Sequence, residues 1–471
     1  MKNETIQNQS SGNLIVEHRQ LFSGILEQLR PIDFETKVAL AGVEKLKKQH
    51  FIIETIEEVL SKSIELNWSI GVKNGHIYVF NGAYWKSLNI SELEKFLGES
   101  AEKLGVDKYD AKYFAFRVKL IKQLTSSAYL LKSPPNSDEV LINLMNGTFV
   151  ITPGGVRLKE FSPDDFLRYQ LPFEYNNEAD CPKFTRFLDQ VLPDKEEQDI
   201  LAEYISYVFI KQRTLKLEKC LLLYGTGANG KSVFFDIINA LLGSENVSSF
   251  SLQSLTSESG YQRATLGNKL LNYASELSSH MDSAYFKQLV SGEPIEARLP
   301  YGCPFILEDY AKFIFNANEL PRDVEQNEAF FRRFIIIKFA VKIPENDRDP
   351  ELAQKIIYDE LPGVFNWVLS GLERLVEHKR FTASDAVNQA LNDYKTSSDT
   401  VSLFLQDHLY EISLSEEMRL SDFYSYYRNY SLDSGYRPVS RRVFVDRLKN
   451  LDFILTKRNF GNVVHVQKIV S

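Results

Sequence analysis

The sequence predicts an α/β fold whose core is a mainly parallel sheet, with an α-rich domain before it and a smaller module after it. Three observations support this prediction. Between residues 217 and 340, short apolar runs alternate with helical patterns, as in parallel sheets covered on both faces. Residues before 210 show mostly helical spacing, and residues after 415 show two helices followed by a hairpin. The strands expected in the sheet are residues 220–224, 269–274, 312–316 and 334–339.

The composition is that of an ordinary globular protein. The chain has 471 residues, of which 44% are hydrophobic and 25% charged, and this length suggests two to four domains. Its net charge of −8 argues against nucleic-acid binding over the whole surface but allows local basic patches.

The cysteines and the N-terminus indicate the compartment. Cys181, Cys220 and Cys303 lack the spacing of a metal site, and we expect buried thiols in a reducing cytosol. The first 13 residues are polar, unlike a signal peptide, and no apolar run approaches the roughly 18 residues of a membrane span. We therefore expect a cytoplasmic protein, with residues 1–13 as a disordered tail.

The N-terminal domain is expected to be α-rich, spanning residues 14–205. A hairpin is predicted around Asn81-Gly82, and a short β element contains Asn146-Gly147. Residues 181–210 show helical spacing, with Pro182 in the first turn. The expected later boundaries are 206–345 for the sheet domain, 346–412 for a helical lid and 413–471 for the C-terminal module.

A phosphate-binding loop is the most specific motif of the chain. The pattern G-x-x-x-x-G-K-[ST] is matched between a predicted strand and a predicted helix, which is the context in which it binds phosphate. Its glycines let backbone N–H groups close around phosphate oxygens, Lys231 would reach the β- and γ-phosphates, and Ser232 would bind Mg²⁺. The residues predicted to bind ATP are Gly225, Thr226, Gly227, Ala228, Asn229, Gly230, Lys231 and Ser232. The sheet domain is therefore predicted to be a P-loop NTPase core.

Polar residues lie at the ends of the later predicted strands. An NTP-hydrolysing site needs an acid, a contact to the γ-phosphate and often an arginine. Glu276 ends the second predicted strand, although a surface glutamate that starts a helix would look the same. Asn316 and Asn318 end the third, a position where asparagine also forms turns. Arg332 and Arg333 precede the fourth predicted strand. Two interpretations are open: the pair belongs to the NTP-hydrolysing site, or it is an ordinary solvent-exposed pair.

The C-terminal module carries a local excess of basic residues. Two helices followed by a hairpin around Gly461-Asn462 suggest a winged helix. Residues 437–471 hold eight lysines and arginines against two aspartates. We expect Arg441, Arg442 and Arg447, on the second helix, to contact DNA. The alternative is a basic face that packs on an acidic neighbour.

Taken together, these blocks resemble a superfamily 3 helicase, of the phage, plasmid and mobile-element primase-helicase group that includes the poxvirus replication helicase. The resemblance covers roughly residues 75–470. It extends beyond the phosphate loop to Asn146-Gly-Thr-Phe, Phe161-Ser-Pro, Cys181-Pro-Lys-Phe-Thr-Arg-Phe-Leu, Leu361-Pro-Gly-Val-Phe-Asn-Trp and Pro438-Val-Ser-Arg-Arg-Val-Phe. It implies an AAA+-like core, a helical lid and a terminal winged helix.

The resemblance also implies roles for single residues. Glu276 matches the acid that polarises the attacking water and helps to bind Mg²⁺, and Asn318 matches the sensor of the γ-phosphate. Arg333 matches an arginine finger that reaches the ATP of the neighbouring subunit in a ring, expected to be a hexamer. Residues 286–302 match a segment leading to a hairpin that holds single-stranded DNA. Within that segment the expected DNA-binding residues are Lys287, Arg298 and Tyr301.

The sequence departs from the family in two places. Ser275-Glu276 offers one carboxylate where many relatives have two, and the expected hairpin tip, residues 300–304, has no lysine. The first 200 residues lack a convincing Asp-x-Asp pair, so we expect no fused primase.

The leading hypothesis is an ATP-dependent DNA helicase that moves along single-stranded and forked DNA in phage or mobile-element replication. A separate primase or polymerase is an expected partner. The first alternative is an ATP-switched DNA-binding initiator or regulator without motor activity. The second is a P-loop kinase for a small substrate, which would leave the arginine pair and the basic C-terminus unexplained.

Overall fold

The computed structural model describes residues 17–73, 76–128, 139–152, 155–274, 281–300, 302–321, 324–436 and 438–469. The predicted tail of residues 1–13 lies outside these ranges. The chain divides into two compact units, residues 1–175 and 176–471. In the described parts, none of the helices combines the length and apolar character that a bilayer crossing requires.

The first unit contains six helices and six strands among its described residues. The helices are α1 (His18–Gln28), α2 (Phe34–Leu40), α3 (Lys48–Glu65), α4 (Ile90–Leu104), α5 (Lys108–Lys112) and α6 (Phe114–Ser127). The strands are β1 (Ser69–Lys73), β2 (His76–Phe80), β3 (Trp85–Ser87), β4 (Val140–Leu144), β5 (Gly147–Thr152) and β6 (Gly155–Lys159). They form two antiparallel sheets, β1-β2-β3 and β4-β5-β6, and a 3₁₀ turn follows at Pro163–Asp165.

The hairpin predicted around Asn81-Gly82 is confirmed. Phe80 pairs with Trp85, and the Asn81 side chain accepts hydrogen bonds from the backbone N–H groups of Ala83 and Tyr84, both at 3.0 Å. The helices pack on the first sheet in one apolar core that includes Trp68, Ile56 and Leu120.

The second unit begins with two helices rather than the single one predicted for residues 181–210. Its helices are α7 (Pro182–Val191), α8 (Lys195–Tyr207), α9 (Lys231–Leu242), α10 (Leu252–Leu255), α11 (Tyr261–Leu266), α12 (Ser283–Val290), α13 (Glu328–Phe331), α14 (Leu352–His378), α15 (Asp385–Ser398), α16 (Thr400–Asp407), α17 (Leu420–Asp433) and α18 (Arg441–Asn450). Pro193 separates α7 from α8 because proline cannot donate a backbone hydrogen bond, and Asp194 caps α8 by accepting from Glu196 N at 2.8 Å.

The described strands of the second unit form one parallel sheet, two antiparallel pairs and a three-stranded antiparallel sheet. They are β7 (Cys220–Tyr224), β8 (Val247–Ser248), β9 (Leu271–Ala274), β10 (Ile295–Arg298), β11 (Pro304–Leu307), β12 (Lys312–Ala317), β13 (Phe334–Lys338), β14 (Tyr410–Ile412), β15 (Met418–Arg419), β16 (Leu455–Arg458), β17 (Gly461–Val464) and β18 (Val466–Lys468). Two 3₁₀ turns, Ser244–Asn246 and Glu345–Asp347, complete the regular elements.

The parallel sheet confirms the predicted α/β core. Its order is β13-β7-β12-β9-β8, and every pairing is parallel. The four predicted strands are all present, within two residues at each end, because each is a short apolar run buried on both faces. The fifth strand, β8, has only two residues, which is too few for a periodic signal.

The long helix α14 packs directly on the helices that precede the sheet. A Cβ added at Gly371 would lie 2.4 Å from the Ala202 carbonyl carbon, and one at Gly363 would lie 2.2 Å from the Asp180 oxygen. Only glycine allows these backbones to approach so closely. Residues 346–412, the range predicted to be a helical lid, contain α14, α15, α16 and the short strand β14.

The C-terminal segment has the predicted order of elements. Helices α17 and α18 are followed by the β16-β17 hairpin, and Phe404, Phe423 and Phe444 lie in a common core. The turn lies earlier than predicted, at residues 459–460, because Gly461 already pairs with Arg458. Gly461 has φ +126°, which is accessible mainly to glycine.

The cysteine prediction is correct for two residues and wrong for the third. Burial raises the pKa of the Cys181 thiol to about 11, and burial also raises the pKa of Cys220. Cys303 is exposed, because it lies in the turn between β10 and β11 rather than in the core.

Replacement of Lys312, a buried lysine at the start of β12, should change stability in a pH-dependent way. The residue is 6% exposed, its Nζ lies 4.1 Å from the Tyr207 ring centroid, and burial lowers its pKa from 10.5 to about 7. Between pH 7 and 10.5 the unfolded chain therefore binds more protons at this residue than the folded chain does. The free-energy cost of burying the charged lysine is complete below pH 7 and disappears as the pH rises towards 10.5. Lys312→Met should raise the unfolding free energy by about 2 kcal/mol or more at pH 6 and by much less at pH 10.

Urea unfolding of both proteins from pH 6 to 10 measures this difference. The exposed Lys342→Met variant is the matched control, and its difference from the parent should not follow the same curve. A Lys312→Met difference that is constant with pH would contradict the prediction.

Candidate functional site

The phosphate loop follows β7, which lies between β13 and β12 in the sheet. Gly227, Ala228 and Gly230 have φ values of +99°, +52° and +89°. Left-handed torsions at nearby positions turn backbone N–H groups toward one side and form an anion-binding concavity. Helix α9 begins at Lys231, so its N-terminus adds partial positive charge at the same place.

The loop is held by the residues that follow β13. Asn229 is 3% exposed and donates from Nδ2 to the Phe339 carbonyl at 2.9 Å. The Ile343 N–H donates to the Ala228 carbonyl at 3.0 Å. A Cβ added at Gly225 would lie 2.2 Å from Asn229 Nδ2 and 2.5 Å from the Phe339 oxygen, so this glycine is required by close packing.

The rear of the loop contacts α7. A Cβ at Gly230 would lie 2.8 Å from Val191 Cγ1 and 2.9 Å from Phe187 Cε2. Gly227, by contrast, has nothing within 4 Å of its Cβ position. The loop is therefore packed on one side and open on the other, as access for a phosphate chain requires.

Lys231 is the first residue of α9, and its amine contacts the phosphate loop. The residue is 6% exposed, and its Nζ donates to the Gly225 carbonyl and to Asn229 Oδ1, the latter at 3.1 Å. Burial lowers the pKa of Lys231. Ser232 is exposed in the first turn of α9. The left-handed loop, the amine, the hydroxyl and the helix N-terminus form a donor set that fits a nucleoside triphosphate with Mg²⁺.

The acid predicted at the second strand lies outside the described residues. Strand β9 is described to Ala274, and Glu276 falls in the undescribed range 275–280. Among the described residues, no group of three or more His, Cys, Asp or Glu side chains could hold a metal ion.

The two strand-end asparagines differ in their surroundings. Asn316, within β12, accepts a hydrogen bond at 3.2 Å from the hydroxyl of Tyr273, which is fully buried in β9. Asn318, the predicted sensor, lies one residue beyond the strand and is exposed. The structure therefore places one asparagine in the sheet and the other at its surface.

Sequence reasoning missed an acid on α9. Asp236 lies four residues after Ser232 and so on the same face of the helix. Desolvation raises its pKa, and its charge contributes to raising the pKa of the buried Tyr273.

The arginine pair lies at the opposite end of the sheet from the phosphate loop of the same chain. Phe334 pairs with Cys220, the first residue of β7, so Arg333 lies beside the amino end of that strand. The loop begins after Tyr224, and β7 spans about 13 Å at the usual rise per residue.

The two arginines differ in exposure. Arg333 is 7% exposed, donates to the Ala329 carbonyl and to Ser291 Oγ at 2.8 Å, and lies 3.8 Å from Glu218 Oε2. The Arg332 side chain is 57% exposed and lies 3.3 Å from the same carboxylate oxygen. Glu218 thus contacts both guanidinium groups.

The segment predicted to contact single-stranded DNA does contain a hairpin. Strands β10 and β11 pair from Ile295–Leu307 to Arg298–Pro304. Arg298 is exposed and donates to the Gly302 carbonyl at 2.9 Å, whereas Lys287, on α12, lies 2.9 Å from Glu325 Oε2. Tyr301 lies outside the described residues.

On the C-terminal module, the three predicted DNA contacts are not equivalent. Arg441 and Arg442 are exposed at the start of α18, after Ser440 caps that helix through Val443 N. Arg447 is mostly buried, and its Nη1 lies 2.7 Å from Asp399 Oδ1. A cavity of about 560 Å³ lies between α17 and the start of α18, lined by residues that include Tyr424, Arg428, Ser440 and Arg447.

Two segments of the chain match known protein families. Residues 57–193 match the family model described as D5 N terminal like. Residues 223–333, which include the phosphate loop and the arginine pair, match a family of unknown function, DUF5906. Neither match spans half of the chain.

Two curated proteins are distantly similar. A "putative helicase" of Acanthamoeba polyphaga mimivirus is 25% identical over 285 residues, covering 56% of this chain and 28% of that protein. An uncharacterized mitochondrial protein of Marchantia polymorpha, ymf21, is 27% identical over 163 residues, covering 32% of this chain and 88% of that protein. The chain thus spans less than a third of the mimivirus protein.

Among solved structures, the apo A form of the NrS-1 C terminal region aligns with a TM-score of 0.49 at 13% identity. The alignment covers 89% of this chain and 100% of that one. A second apo structure of the same region aligns with a TM-score of 0.47 at 12% identity, covering 90% and 100%.

Two substitutions within the phosphate loop should differ in their effect on nucleotide affinity: one should lower it and the other should preserve it. Gly225→Ala places a methyl group 2.5 Å from the Phe339 oxygen and should displace Asn229, so nucleotide affinity should fall at least tenfold. Ala228→Gly relieves a non-glycine residue at φ +52° and should preserve binding, with stability unchanged or slightly higher. Titration with a fluorescent ATP analogue and thermal unfolding measure both effects. Equal affinities in the two variants would contradict this description of the loop.

Proposed function

We propose that this chain is an ATP-dependent DNA helicase that moves along single-stranded DNA during phage or mobile-element replication. The observation that carries the proposal is the phosphate loop on an inner strand of the parallel sheet, with Lys231 buried against it. The similarity to a viral "putative helicase" and to the D5 N terminal like family supports a replicative role. A P-loop kinase would share the loop but would leave both similarities unexplained.

The residues of the loop divide the binding of ATP and Mg²⁺ among them. Backbone N–H groups of the left-handed turn and the N-terminus of α9 would bind phosphate oxygens. Lys231 would contact the β- and γ-phosphates, and the exposed hydroxyl of Ser232 would bind Mg²⁺. When bound, ATP with Mg²⁺ supplies the hydrolysis that drives movement.

We assign two strand-end residues to hydrolysis. Glu276 would orient the attacking water, a role that rests on its resemblance to the family motif. Asn318 would contact the γ-phosphate, and its exposure just beyond β12 leaves its amide accessible. Asn316 would instead position this strand end through its hydrogen bond with Tyr273.

We further propose that the arginine pair serves the ATP site of a neighbouring subunit in a ring, which would be a hexamer. The pair lies about one strand length from its own phosphate loop, so side-chain movement alone would not bring the two together. Arg333, the proposed finger, would first have to exchange its bonds to Ser291 and Ala329 for bonds to phosphate. Single-stranded DNA would pass the β10-β11 hairpin, with Arg298 as its accessible cation.

The second candidate function is an ATP-switched initiator that binds duplex DNA without unwinding it. The observation that favours it is the position of Arg441 and Arg442, exposed at the start of α18 where helix-turn-helix proteins contact DNA. A separate primase or polymerase would then act beside it. Duplex binding by this module is compatible with both candidates, so unwinding is the property that separates them.

The motor proposal predicts ATPase activity that single-stranded DNA stimulates several-fold, together with unwinding of a forked duplex. Arg333→Ala should retain ATP binding but lose about 10³-fold in hydrolysis, because it removes transition-state charge stabilisation. Lys231→Ala should lose ATP binding itself. Mixing the two inactive variants should restore part of the activity, since a Lys231→Ala subunit still provides Arg333 to its neighbour.

Two results would count against these assignments. ATPase activity with tight duplex binding but no unwinding would favour the switch. An active monomer without rescue in the mixture would exclude a finger acting between subunits. Because Arg333 is also structural, Ser291→Ala is the control: it removes the buried partner at 2.8 Å but leaves the guanidinium, so it should affect hydrolysis much less.

If α18 contacts DNA, removing its exposed arginines should make the affinity for a duplex less dependent on salt. Replacing both Arg441 and Arg442 with glutamine should lower the slope of log K against log salt for a duplex by about two. The control is the double change of Lys379 and Arg380 to glutamine, an exposed basic pair after α14 that removes the same charge. Fluorescence anisotropy from 50 to 200 mM salt measures both slopes. Equal slopes for the two double variants would remove the proposed role of α18.

A further inference from the structure

Three large aromatic side chains are exposed together where α5 meets α6 in the first unit. Tyr109 is 82% exposed, Tyr113 is 55% exposed and Phe114 is 71% exposed. The rings of Tyr113 and Phe114 lie 5.0 Å apart in an edge-on arrangement. Tyr113 and Phe114 thus form a contiguous exposed aromatic pair, and Tyr109 lies on the adjoining helix α5. A contiguous exposed apolar patch indicates a binding surface rather than scattered exposure.

The register of the two helices explains why these rings cannot enter the core. Helix α5 buries Ala111, and α6 buries Phe116, Leu120 and Leu124. The chain between the helices is extended at Tyr113, with φ −70° and ψ +126°, so the neighbouring side chains face away from the core.

The junction that carries the rings is tightly fixed. Arg117 donates from Nε to the Ala111 carbonyl at 3.1 Å. Its guanidinium lies against Gly98 of α4, where an added Cβ would be 2.5 Å from Nε. A rigid junction presents the rings with little loss of conformational entropy on binding.

Basic residues flank the rings. Residues 105–128 contain five lysines and arginines and two aspartates, in a chain whose net charge is −8. The exposed lysines of this segment are Lys108, Lys112, Lys119 and Lys122.

Both aspartates of the segment are engaged within the protein. Asp107 caps α5 by accepting from Tyr109 N at 2.9 Å, and Asp110 Oδ1 lies 2.8 Å from Lys48 Nζ. The Lys48 side chain, which remains 74% exposed, adds a further cation beside the rings. Glu102 of α4, whose Oε2 lies 3.8 Å from Lys112 Nζ, offsets the added charge of Lys48. The surface therefore keeps the excess of three positive charges that residues 105–128 carry, five minus two.

We propose that this surface, formed by Tyr109, Tyr113, Phe114 and the lysines beside them, binds single-stranded nucleic acid. Bases of a single strand stack on exposed aromatic rings while lysines contact the backbone, and this combination tolerates any sequence. Duplex bases are already stacked and offer no free faces. Lysine is depleted in the cores of protein–protein interfaces, so the flanking lysines favour a polyanion over a protein partner. The inference does not rest on the helicase proposal, because it involves neither ATP nor the second unit.

Phe114→Trp provides a local optical test. The change keeps an exposed aromatic ring, and stacking of a base should quench its fluorescence when a 30-nucleotide oligo(dT) is added without ATP. The parent chain, whose native tryptophans include the buried Trp68 and Trp85, gives the background. Oligo(rU) of equal length distinguishes RNA from DNA as the preferred strand, and either result supports the surface. Unchanged fluorescence at saturating oligonucleotide would overturn the proposal.

Affinity gives the second readout. Changing Tyr109, Tyr113 and Phe114 together to alanine should weaken oligo(dT) binding about tenfold or more, measured by anisotropy. The control is Tyr358→Ala, an equally exposed aromatic on α14 at 92% exposure, which should bind as the parent does. Unchanged binding by the triple variant would overturn the proposal. If the variant also changed its subunit count by mass, the surface would instead be a protein interface. ATPase activity of the triple variant reports separately on the helicase proposal.

Discussion

The phosphate loop depends on its contact with the chain that follows β13. Asn229 donates to the Phe339 carbonyl, Ala228 accepts from Ile343, and Gly225 leaves no room for a side chain beside that carbonyl. A buried hydrogen bond of this kind contributes only about 1 kcal/mol, but it fixes a loop of left-handed torsions that would otherwise be costly. The shape of the loop therefore depends as much on β13 as on the motif itself.

Strand β13 also carries the arginine pair at its other end. Arg333 immediately precedes the strand, and Phe339 immediately follows it, so one rigid five-residue segment joins the two features. Cys220 and Tyr224 of β7 pair with the two ends of this strand, which fixes the separation of loop and arginines. A site that used both features from one chain would have to break this sheet, whereas a site shared between chains would leave it intact.

Two buried carboxylates stabilise the helices behind the loop. Glu360 of α14 accepts from the backbone N–H groups of Lys183 and Phe184 at 3.0 Å, which satisfies unpaired donors at the start of α7. Glu203 of α8 lies 3.2 Å from Arg374 and accepts from Thr382 N at 2.8 Å. Since α7 contacts Gly230, α14 supports the loop indirectly through Glu360.

The parallel sheet and the glycine-rich loop after β7 could be predicted because an apolar run and a glycine spacing are local signals. Phosphate binding by that loop stays a prediction. Cys220–Tyr224 is a continuous apolar run, and the glycine spacing after it has few structural solutions. The errors arose where one residue overrides a longer pattern or where tertiary contacts decide. Pro193 divided a segment with helical spacing, and Cys303 entered a turn.

For the candidate site residues as well, tertiary contacts decide features that the local sequence does not predict. That Arg333 is buried by Ser291 while Arg332 is exposed depends on α12, some forty residues away in sequence. The closeness of Tyr273 to Asn316 likewise arises only when β9 pairs with β12. Motif spacing identifies which residue types are present, but tertiary pairing decides which of them remain accessible.

The charge distribution explains how an acidic chain could still bind nucleic acid. A net charge of −8 averages over surfaces that differ in sign, and screening limits electrostatic influence to about 10 Å at ordinary salt. The proposed contact at α18 offers the cations Arg441 and Arg442 at a helix N-terminus, where guanidinium groups can contact phosphates or base edges of a duplex. The surface at Tyr109 and Phe114 adds aromatic faces, which only unpaired bases can use. The proposed duplex contact at α18 and the proposed single-strand surface would therefore differ in chemistry, because only the second offers rings on which unpaired bases can stack.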